Sequence, residues 1–252
     1  MLKGFERYLL DQEKSTNTIK SYVGHAACFV KWHTGFFGVG PKKLRRIAVL
    51  DYLSYLRSVK NAAPKTINAK VCAMIKLNEF LIEKGVQDRI VVSKKDRMEQ
   101  KREEPNTDVI TPAEVEDFLR RIHEHEINRD YALVTVLAYA GLRISEALDL
   151  RVSDIDFAGK TLVANGGTNR KQVRVPMDDR VRDAVCKYIN ERKVSKDSSE
   201  YLFKSRQGER LNRTRVNQIF NKHSDCLTPS KLRGFCYTNN MKKKGSVSKT
   251  GG

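Results

Sequence analysis

The sequence of 252 residues has no long hydrophobic run, no paired cysteines and no low-complexity segment. No apolar stretch approaches the roughly 20 residues that a membrane-spanning helix needs, which argues against a membrane protein. The opening stretch MLKGFERYLLDQEKS mixes charges of both signs among its apolar positions, unlike a signal peptide. We therefore predict a cytoplasmic chain without a membrane partner.

Cysteines and histidines are too few and too poorly spaced for a disulfide framework or a metal site. No cysteine pair has the Cys-x-x-Cys spacing, and the odd total is typical of reduced thiols. In HEHE (123–126), His123 and His125 are two residues apart and diverge on a helix, so we interpret them as solvated. We expect no metal and no cofactor. The cysteines are Cys28, Cys72, Cys186, Cys226 and Cys236.

The dominant feature that the sequence does have is positive charge. Lysine and arginine number 48 against 30 aspartates and glutamates, which leaves a net charge of +18. Half of this excess lies in residues 1–90 and half in the remainder, so it is not confined to a detachable tail. A spread excess favours a polyanion contacted along the whole chain, because each neutralised phosphate releases a counterion. The alternative is a generally basic, solvated surface.

Patterning predicts a mainly α fold with a small β-hairpin, an α+β class arranged in two domains. Residues 1–90 form helices with short breaks, such as the one that begins at Ser15 or Thr16. Residues 91–108 are rich in charges of both signs and are predicted to be a linker. Residues 109–252 form a second domain that opens with a capping box at Thr111. There, KTLVA and QVRVPM are predicted to pair as a hairpin.

Two arginines stand among core-type residues, where an unpaired charge is costly. These are Arg143, in AYAGLRISEALDL, and Arg233. A guanidinium presents a planar fork that suits phosphate oxygens, and two forks would stabilise a pentacoordinate phosphorane. Between them in sequence, the hairpin tip offers Arg170 and Lys171 as donors. For Arg143 the alternative is a salt bridge to Glu146, one turn later, which is compatible with phosphate binding at its other edge.

Two segments then resemble those of a known family. YAGLRISEALDLRVSDIDF (139–157) is similar to the first-arginine motif of the tyrosine recombinases, the phage integrase or Xer-like family. LTPSKLRGFCYTN (227–239) resembles their second motif, normally His-x-x-Arg. KSTNTIKSY and KTINAKV are similar to the family's N-terminal core-binding domain. The resemblance implies a SAM-like helical domain and a catalytic domain that together clamp duplex DNA, with a tyrosine forming a 3′-phosphotyrosyl link without metal.

The resemblance also assigns roles to residues. Arg143 and Arg233 would bind the scissile phosphate, and Glu146 would orient Arg143. Lys171 would be the hairpin lysine, although Thr168 occupies the position where many members have it. The DNA-binding residues in the two domains would be Lys14, Thr16, Asn17, Lys20, Lys65, Asn68, Lys70, Thr168 and Arg170.

This sequence departs from the family pattern in ways that bear on cleavage. Ser230 stands at the histidine position, and a hydroxyl cannot act as a base near neutral pH. The nucleophilic tyrosine is expected beyond the last residue, so we predict a catalytic domain that is incomplete at its C-terminus. Tyr237 is the last tyrosine; it lies one turn after Arg233, and we interpret it as a packing residue.

The sequence therefore predicts a DNA-binding member of the family that does not cleave DNA in this form. One alternative is a non-enzymatic regulator or competitor at recombination sites, and another is a fragment of an active integrase. The predicted partners are double-stranded DNA in the nucleoid and, on DNA, further copies of the chain or a full-length recombinase.

Overall fold

The computed structural model describes residues 1–99, 110–166, 172–194 and 199–247. The chain divides into two compact units, Met1–Pro105 and Asn106–Gly252, and each has its own hydrophobic core. Helices dominate both units, and one small sheet lies in the second, so the predicted α+β class is confirmed.

The first unit contains four helices whose ends follow local chemistry. The Ser15 hydroxyl accepts a hydrogen bond from the backbone N–H of Thr18 at the start of the second helix. Gly38 ends that helix with a φ of 73°, a left-handed conformation that glycine adopts without steric cost. Pro64 begins the fourth helix, where its missing N–H has no partner to lose. The helices are α1 (Leu2–Asp11), α2 (Thr16–Phe37), α3 (Arg46–Ser58) and α4 (Pro64–Glu83).

Helices α2 and α4 run antiparallel in the first unit. Two electrostatic contacts between the helices show this orientation. In the first, the pKa of the His25 imidazole on α2 is lowered by burial and then by the charge of Lys70 on α4. The pKa of Lys76 is raised mainly by its hydrogen bond to Glu79, and the phenol of Tyr22 adds to this effect. Later positions of α4 therefore lie beside earlier positions of α2. The N-termini of the two helices are consequently at opposite ends of the pair.

The segment after α4 packs on the first unit as far as Met98. Val91 and Val92 are buried in the core formed by α1–α4. The Asp96 carboxylate forms an ion pair with Arg46 at 2.6 Å. The backbone N–H of Met98 donates a hydrogen bond to a side chain of α4. These residues lie within the stretch 91–108 that the sequence predicts to be a linker. Their contacts attach the beginning of that stretch to the first unit.

The second unit is built around one apolar helix. The Thr111 hydroxyl and the Glu114 carboxylate exchange hydrogen bonds with each other's backbone N–H groups, which forms the predicted capping box at the start of α5. Nearly all of α6 is buried, as its uniformly apolar sequence predicts. The helices are α5 (Pro112–His125), α6 (Asn128–Tyr139), α7 (Ile144–Leu148), α8 (Asp179–Val194), α9 (Arg213–His223) and α10 (Pro229–Val247).

The sheet has three antiparallel strands in the order β1-β2-β3. Leu162 faces Val175 and Ala164 faces Val173, which confirms the predicted hairpin. The short first strand was not predicted from sequence, because two residues are too few for an alternating pattern. The strands are β1 (Ile155–Asp156), β2 (Thr161–Ala164) and β3 (Val173–Pro176).

A cluster of charges joins the end of α5 to α6 and α9. The carboxylate of Glu126, almost inaccessible to solvent, lies 2.6 Å from Arg215, 2.7 Å from Lys222 and 3.0 Å from His223. Arg215 also binds the fully buried Asp130 at 2.6 Å. Burial by itself raises the pKa of Glu126, but these cations outweigh it and hold the pKa at about 2. The HEHE segment therefore ends in a buried structural carboxylate.

This cluster predicts that the free energy of unfolding decreases at acid pH. The folded pKa of Glu126 is below its ordinary value of 4.5, so its contribution is complete above pH 4.5 and is lost as pH falls towards 2. We expect Glu126→Gln to lower the free energy of unfolding by about 3 kcal/mol at pH 7. Urea unfolding from pH 7 to pH 2 should show that the difference from wild type shrinks below pH 4.5. Glu124→Gln, an exposed neighbour, is the control and should change little; a deficit for Glu126→Gln that is the same at every pH would contradict the assignment.

Within the described ranges, no helix is both long enough and apolar enough to cross a membrane.

Candidate nucleic-acid interface

Arg143 lies at the turn between α6 and α7, one residue before α7 begins. Its neighbours Leu142 and Ile144 are buried, but its own side chain is 43% exposed. The expectation that Arg143 shares the buried setting of its neighbours is therefore wrong. The chain leaves α6 through Gly141, whose φ is 64°, and this reversal turns the arginine outwards.

Glu146 orients Arg143 by binding it twice. One carboxylate oxygen of Glu146 lies 2.6 Å from Nη1 of Arg143, and the other accepts the backbone N–H of Arg143 at 2.7 Å. Within the described part of the chain, Nε and Nη2 of Arg143 have no hydrogen-bond partner. The salt bridge foreseen as the alternative is therefore present, and it leaves one edge of the guanidinium open to an external anion.

The charge of a second arginine reaches the same carboxylate. Burial raises the pKa of Glu146, whereas hydrogen bonds from Arg143 and the positive charges of Arg143 and Arg233 lower it by more. The pKa of Glu146 is therefore below its ordinary value, and the group is ionised at neutral pH. The charges of Arg143 and Arg233, which are far apart in sequence, thus both act on the Glu146 carboxylate.

Close packing between the α6–α7 turn and α10 brings together the two segments that carry Arg143 and Arg233. The Cys236 thiol donates a hydrogen bond to the Tyr139 carbonyl over 3.2 Å. A Cβ atom on Gly141 would lie only 3.0 Å from the Cys236 sulfur. Arg233 lies one turn before Cys236 on α10, so this contact fixes its distance from the turn that carries Arg143. No local sequence pattern indicates this contact, because the partners are about 95 residues apart.

Arg233 itself is partly buried and incompletely paired. Its Nη2 donates to the Tyr237 hydroxyl over 2.9 Å, and its guanidinium carbon lies 5.2 Å from the centre of the Tyr237 ring. Its Nε is buried and has no hydrogen-bond partner among the described residues. A buried donor without an acceptor costs about 1–3 kcal/mol.

The other residues singled out at the start of α10 and along it are exposed to solvent. Thr228 caps the helix by accepting the backbone N–H of Lys231 at 3.2 Å. Ser230 is exposed, three positions before Arg233 and on the same side of the helix. Tyr237 is 55% exposed, so the interpretation of Tyr237 as a packing residue is wrong: its ring covers Arg233, not the core. The spacing of four residues from Arg233 could have indicated this contact.

Three predicted residues, Thr168, Arg170 and Lys171, lie outside the described residues. The structure describes the chain as far as Gly166 and again from Gln172 onwards.

In the first unit, the predicted DNA-binding residues do not form one compact group. Lys14, Thr16, Asn17 and Lys20 are exposed at the start of α2. Lys65 is exposed at the start of α4, and Lys70 is half-buried one turn later. Because the helices are antiparallel, Thr16 and Lys65 are separated by roughly 20 Å along the pair, at 1.5 Å per residue. They are spread along the helix pair and not gathered at one end.

Asn68 has a structural task that sequence reasoning missed. Its amide nitrogen donates to the Met98 carbonyl over 3.0 Å, and its amide oxygen accepts the Met98 N–H at 2.8 Å. Both polar atoms therefore help to fix the segment after α4. The amide nitrogen keeps a second proton, so a contact between Asn68 and DNA stays a prediction.

In the part of the chain that the structure describes, no group of three or more histidine, cysteine, aspartate or glutamate side chains is placed to hold a metal ion. Among the described residues, the five cysteines form no disulfide bond.

Comparison with known families accounts for both units. Residues 108–240 match the phage integrase family, and residues 1–90 match the N-terminal SAM-like domain of phage integrases. The chain belongs to the phage integrase family of tyrosine recombinases. The TnP I resolvase of Bacillus thuringiensis is 36% identical over 247 residues, which cover 97% of this chain and 87% of the resolvase. The tyrosine recombinase XerA of Thermococcus kodakarensis is 27% identical over 92% of this chain and 78% of its own length.

Solved recombinase structures share the fold of this chain. The integrase of transposon Tn1549, solved in complex with transposon right end DNA, has a TM-score of 0.71 at 18% identity, over 94% of this chain and 85% of the integrase. A lambda integrase dimer bound to a COC′ core site has a TM-score of 0.67 at 14% identity, over 93% of this chain and 86% of that chain. At such identities the likeness shows the fold alone. This tyrosine recombinase therefore combines a SAM-like unit with a catalytic-type unit.

Proposed function

We propose that this tyrosine recombinase binds duplex DNA and holds one backbone phosphate between Arg143 and Arg233. The observation that carries the proposal is the packing of the α6–α7 turn against α10, which brings Arg233 close enough to Glu146, the partner of Arg143, for its charge to lower the pKa of that carboxyl group. The net charge of +18 and the DNA complexes among the structural neighbours support a nucleic acid as the source of that phosphate.

The arrangement is suited to an anion that gains charge. Glu146 occupies one side of Arg143 and leaves Nε and Nη2 for phosphate oxygens. Donors that are already oriented do not have to reorganise when negative charge develops, so such a site stabilises a pentacoordinate phosphorane more than a diester. Glu146 stays ionised at neutral pH and keeps Arg143 in this orientation.

Further contacts would come from the hairpin and from the first unit. Thr168, Arg170 and Lys171 are proposed to contact phosphate oxygens of the DNA backbone. Lys14, Thr16, Asn17, Lys20, Lys65 and Lys70 are proposed to contact phosphates along α2 and α4. A span of roughly 20 Å corresponds to several phosphates of a duplex.

We further propose that residues 1–252 bind DNA without cleaving it. Ser230 stands one turn before Arg233, where it offers a hydroxyl but no imidazole to move a proton. The hydroxyl oxygen of Tyr237 accepts a hydrogen bond from Arg233. A tyrosine nucleophile attacks through this same oxygen. A suicide DNA substrate tests this: we expect retarded DNA on a native gel and no covalent adduct on a denaturing gel. A phosphotyrosyl adduct would contradict the proposal.

Ser230 also favours a second function, that of a regulator which occupies recombination sites. Loss of proton-transfer chemistry does not remove the arginine pair, so binding and cutting are separable. Adding the chain to a recombination reaction of an active relative should then lower the yield, either by competition for sites or by mixed assembly. Unchanged recombination at a saturating concentration would argue against this function.

Steep salt dependence is the direct expectation for DNA binding. We expect the logarithm of the association constant for a 30-bp duplex to fall linearly with the logarithm of salt concentration, with a slope of about −4 to −8, as for about five to nine phosphate contacts. Filter binding between 50 and 300 mM salt measures this slope. Absence of binding at 50 mM, or affinity that does not change with salt, would sink the proposed function.

A further inference from the structure

We propose that Tyr237 is a phosphate-binding residue, whose hydroxyl donates a hydrogen bond to the same phosphate that Arg233 binds. This inference rests on the proposed function, because it assigns a further ligand to that site. The segment 227–239 contains Tyr237, but the His-x-x-Arg pattern within it ends at Arg233 and assigns this tyrosine no role.

The first argument is the geometry of the contact. Arg233 and Tyr237 are four residues apart on α10 and therefore lie on one face of the helix. The hydroxyl oxygen is 2.9 Å from Nη2, and the guanidinium carbon is 5.2 Å from the ring centre. The hydroxyl thus lies at the edge of the guanidinium, so a phosphate bound there would meet both groups.

The second argument concerns the hydrogen-bond donors and acceptors of Tyr237 and Arg233. A tyrosine hydroxyl has one proton to donate, and arginine has no acceptor atom. The hydroxyl oxygen accepts from Arg233, so its own O–H must point elsewhere. In the described part of the chain it has no acceptor. An O–H whose oxygen is bound by a cation is polarised and is a stronger donor than a free phenol.

The third argument is a shortage of acceptors around Arg233. Its Nε is buried without a partner. Glu146, whose pKa is lowered by the charge of Arg233, is already bound by Arg143 through both oxygens. Among the described residues, neither the Nε–H of Arg233 nor the O–H of Tyr237 has a protein acceptor, and of these two donors the Tyr237 hydroxyl belongs to the exposed side chain. A phosphate supplies several oxygen acceptors together with the negative charge that the arginine requires.

Exposure distinguishes this role from packing. Tyr237 is 55% exposed, although Phe235 and Cys236 beside it on α10 are buried. An exposed ring stacked on a cation contributes little to a core, but it leaves the hydroxyl accessible to a ligand from solvent.

The test uses Tyr237→Phe, which keeps the ring over Arg233 and removes only the hydroxyl. Thr238→Ala is the matched control, because it removes the next hydroxyl, which is exposed and bonds the Gly234 carbonyl at 3.0 Å. Binding of a 30-bp duplex is measured by filter binding from 50 to 300 mM salt. We expect Tyr237→Phe to weaken binding about 3–10-fold without changing the salt slope, since a neutral donor is lost. Thr238→Ala should match wild type.

Two results in this experiment would overturn the inference while leaving the proposed function intact. One is an affinity of Tyr237→Phe within a factor of two of wild type. The other is a loss accompanied by a shallower salt slope, because that would mean Tyr237 only positions the charge of Arg233. A covalent DNA adduct at Tyr237 would also overturn it, since the hydroxyl would then be a nucleophile.

A second probe separates failure of this inference from failure of the proposed function. Inorganic phosphate is titrated into the wild-type chain with a ¹³C label in its tyrosine rings, and the Tyr237 signal is assigned with Tyr237→Phe. We expect this signal to shift on titration, and the shift to disappear in Arg233→Ala. A signal that does not move would overturn the inference even if duplex binding is normal, and a moving signal would support it even if no duplex binds.

Discussion

Replacing Arg143 or Arg233 with alanine is expected to weaken binding of a 30-bp duplex by about 10–100-fold each, the largest effect on affinity that this structure predicts. A charge-assisted hydrogen bond contributes about 1.5–3 kcal/mol, and each arginine offers more than one donor to a phosphate. The salt slope should fall by about one for each arginine removed. Filter binding across salt concentrations measures both quantities.

The double variant tests whether the two arginines act on one phosphate. If they do, Arg143→Ala with Arg233→Ala should lose less than the product of the single losses, because the first substitution already releases the anion. Arg120→Ala is the matched control: it removes one positive charge from an exposed arginine that is paired with Asp117 and Glu124. If Arg120→Ala weakened binding as much as either site variant, net charge alone would explain the effect, and the site would not be specific.

Replacing Gly141 with alanine is the second large effect, and it acts on stability. Gly141 has a φ of 64°, a conformation that costs a residue with a side chain about 1–2 kcal/mol. The added Cβ would also lie 3.0 Å from the Cys236 sulfur, closer than side chains normally approach. We expect the free energy of unfolding to fall by about 2–4 kcal/mol in urea titration. DNA affinity should fall as well, because the same contact sets the spacing of Arg143 and Arg233.

Two other glycines separate the causes of this effect. Gly208 has a φ of 84° with no atom within 4 Å of an added Cβ, so Gly208→Ala reports conformational strain without a steric contact. Gly234 lies within α10 with open space around it, and Gly234→Ala should stabilise the helix by up to about 1 kcal/mol. If Gly141→Ala were no worse than Gly208→Ala, the contact with Cys236 would not matter.

Much of the fold could be predicted because it depends on local chemistry. The capping box at Thr111, the proline at the start of α4 and the apolar sequence of α6 are each visible within a few residues, and the structure confirms the elements they predict. The link between Arg143 and Glu146 is equally local, since the residues are one helical turn apart. Such signals need no knowledge of what packs against the element.

The parts that could not be predicted depend on contacts between distant segments. Pattern alone gives neither the approach of Cys236 to the turn at Gly141 nor the use of Asn68 to hold Met98. The exposure of Arg143 was missed for a related reason: its apolar neighbours indicate burial, but the left-handed turn at Gly141 directs the side chain outwards. Tyr237 had a local signal, its spacing from Arg233, which an emphasis on packing obscured.

The account depends most on the claim that Arg143 and Arg233 bind the same phosphate. The most direct measurement is the ¹⁵N signal of each arginine Nε–H during titration with duplex DNA, with assignments from Arg143→Lys and Arg233→Lys. We predict that both signals shift along curves with one shared dissociation constant, and that the Arg233 signal exchanges slowly with solvent because its Nε is buried. Signals that do not move, or that move with different dissociation constants, would contradict the claim.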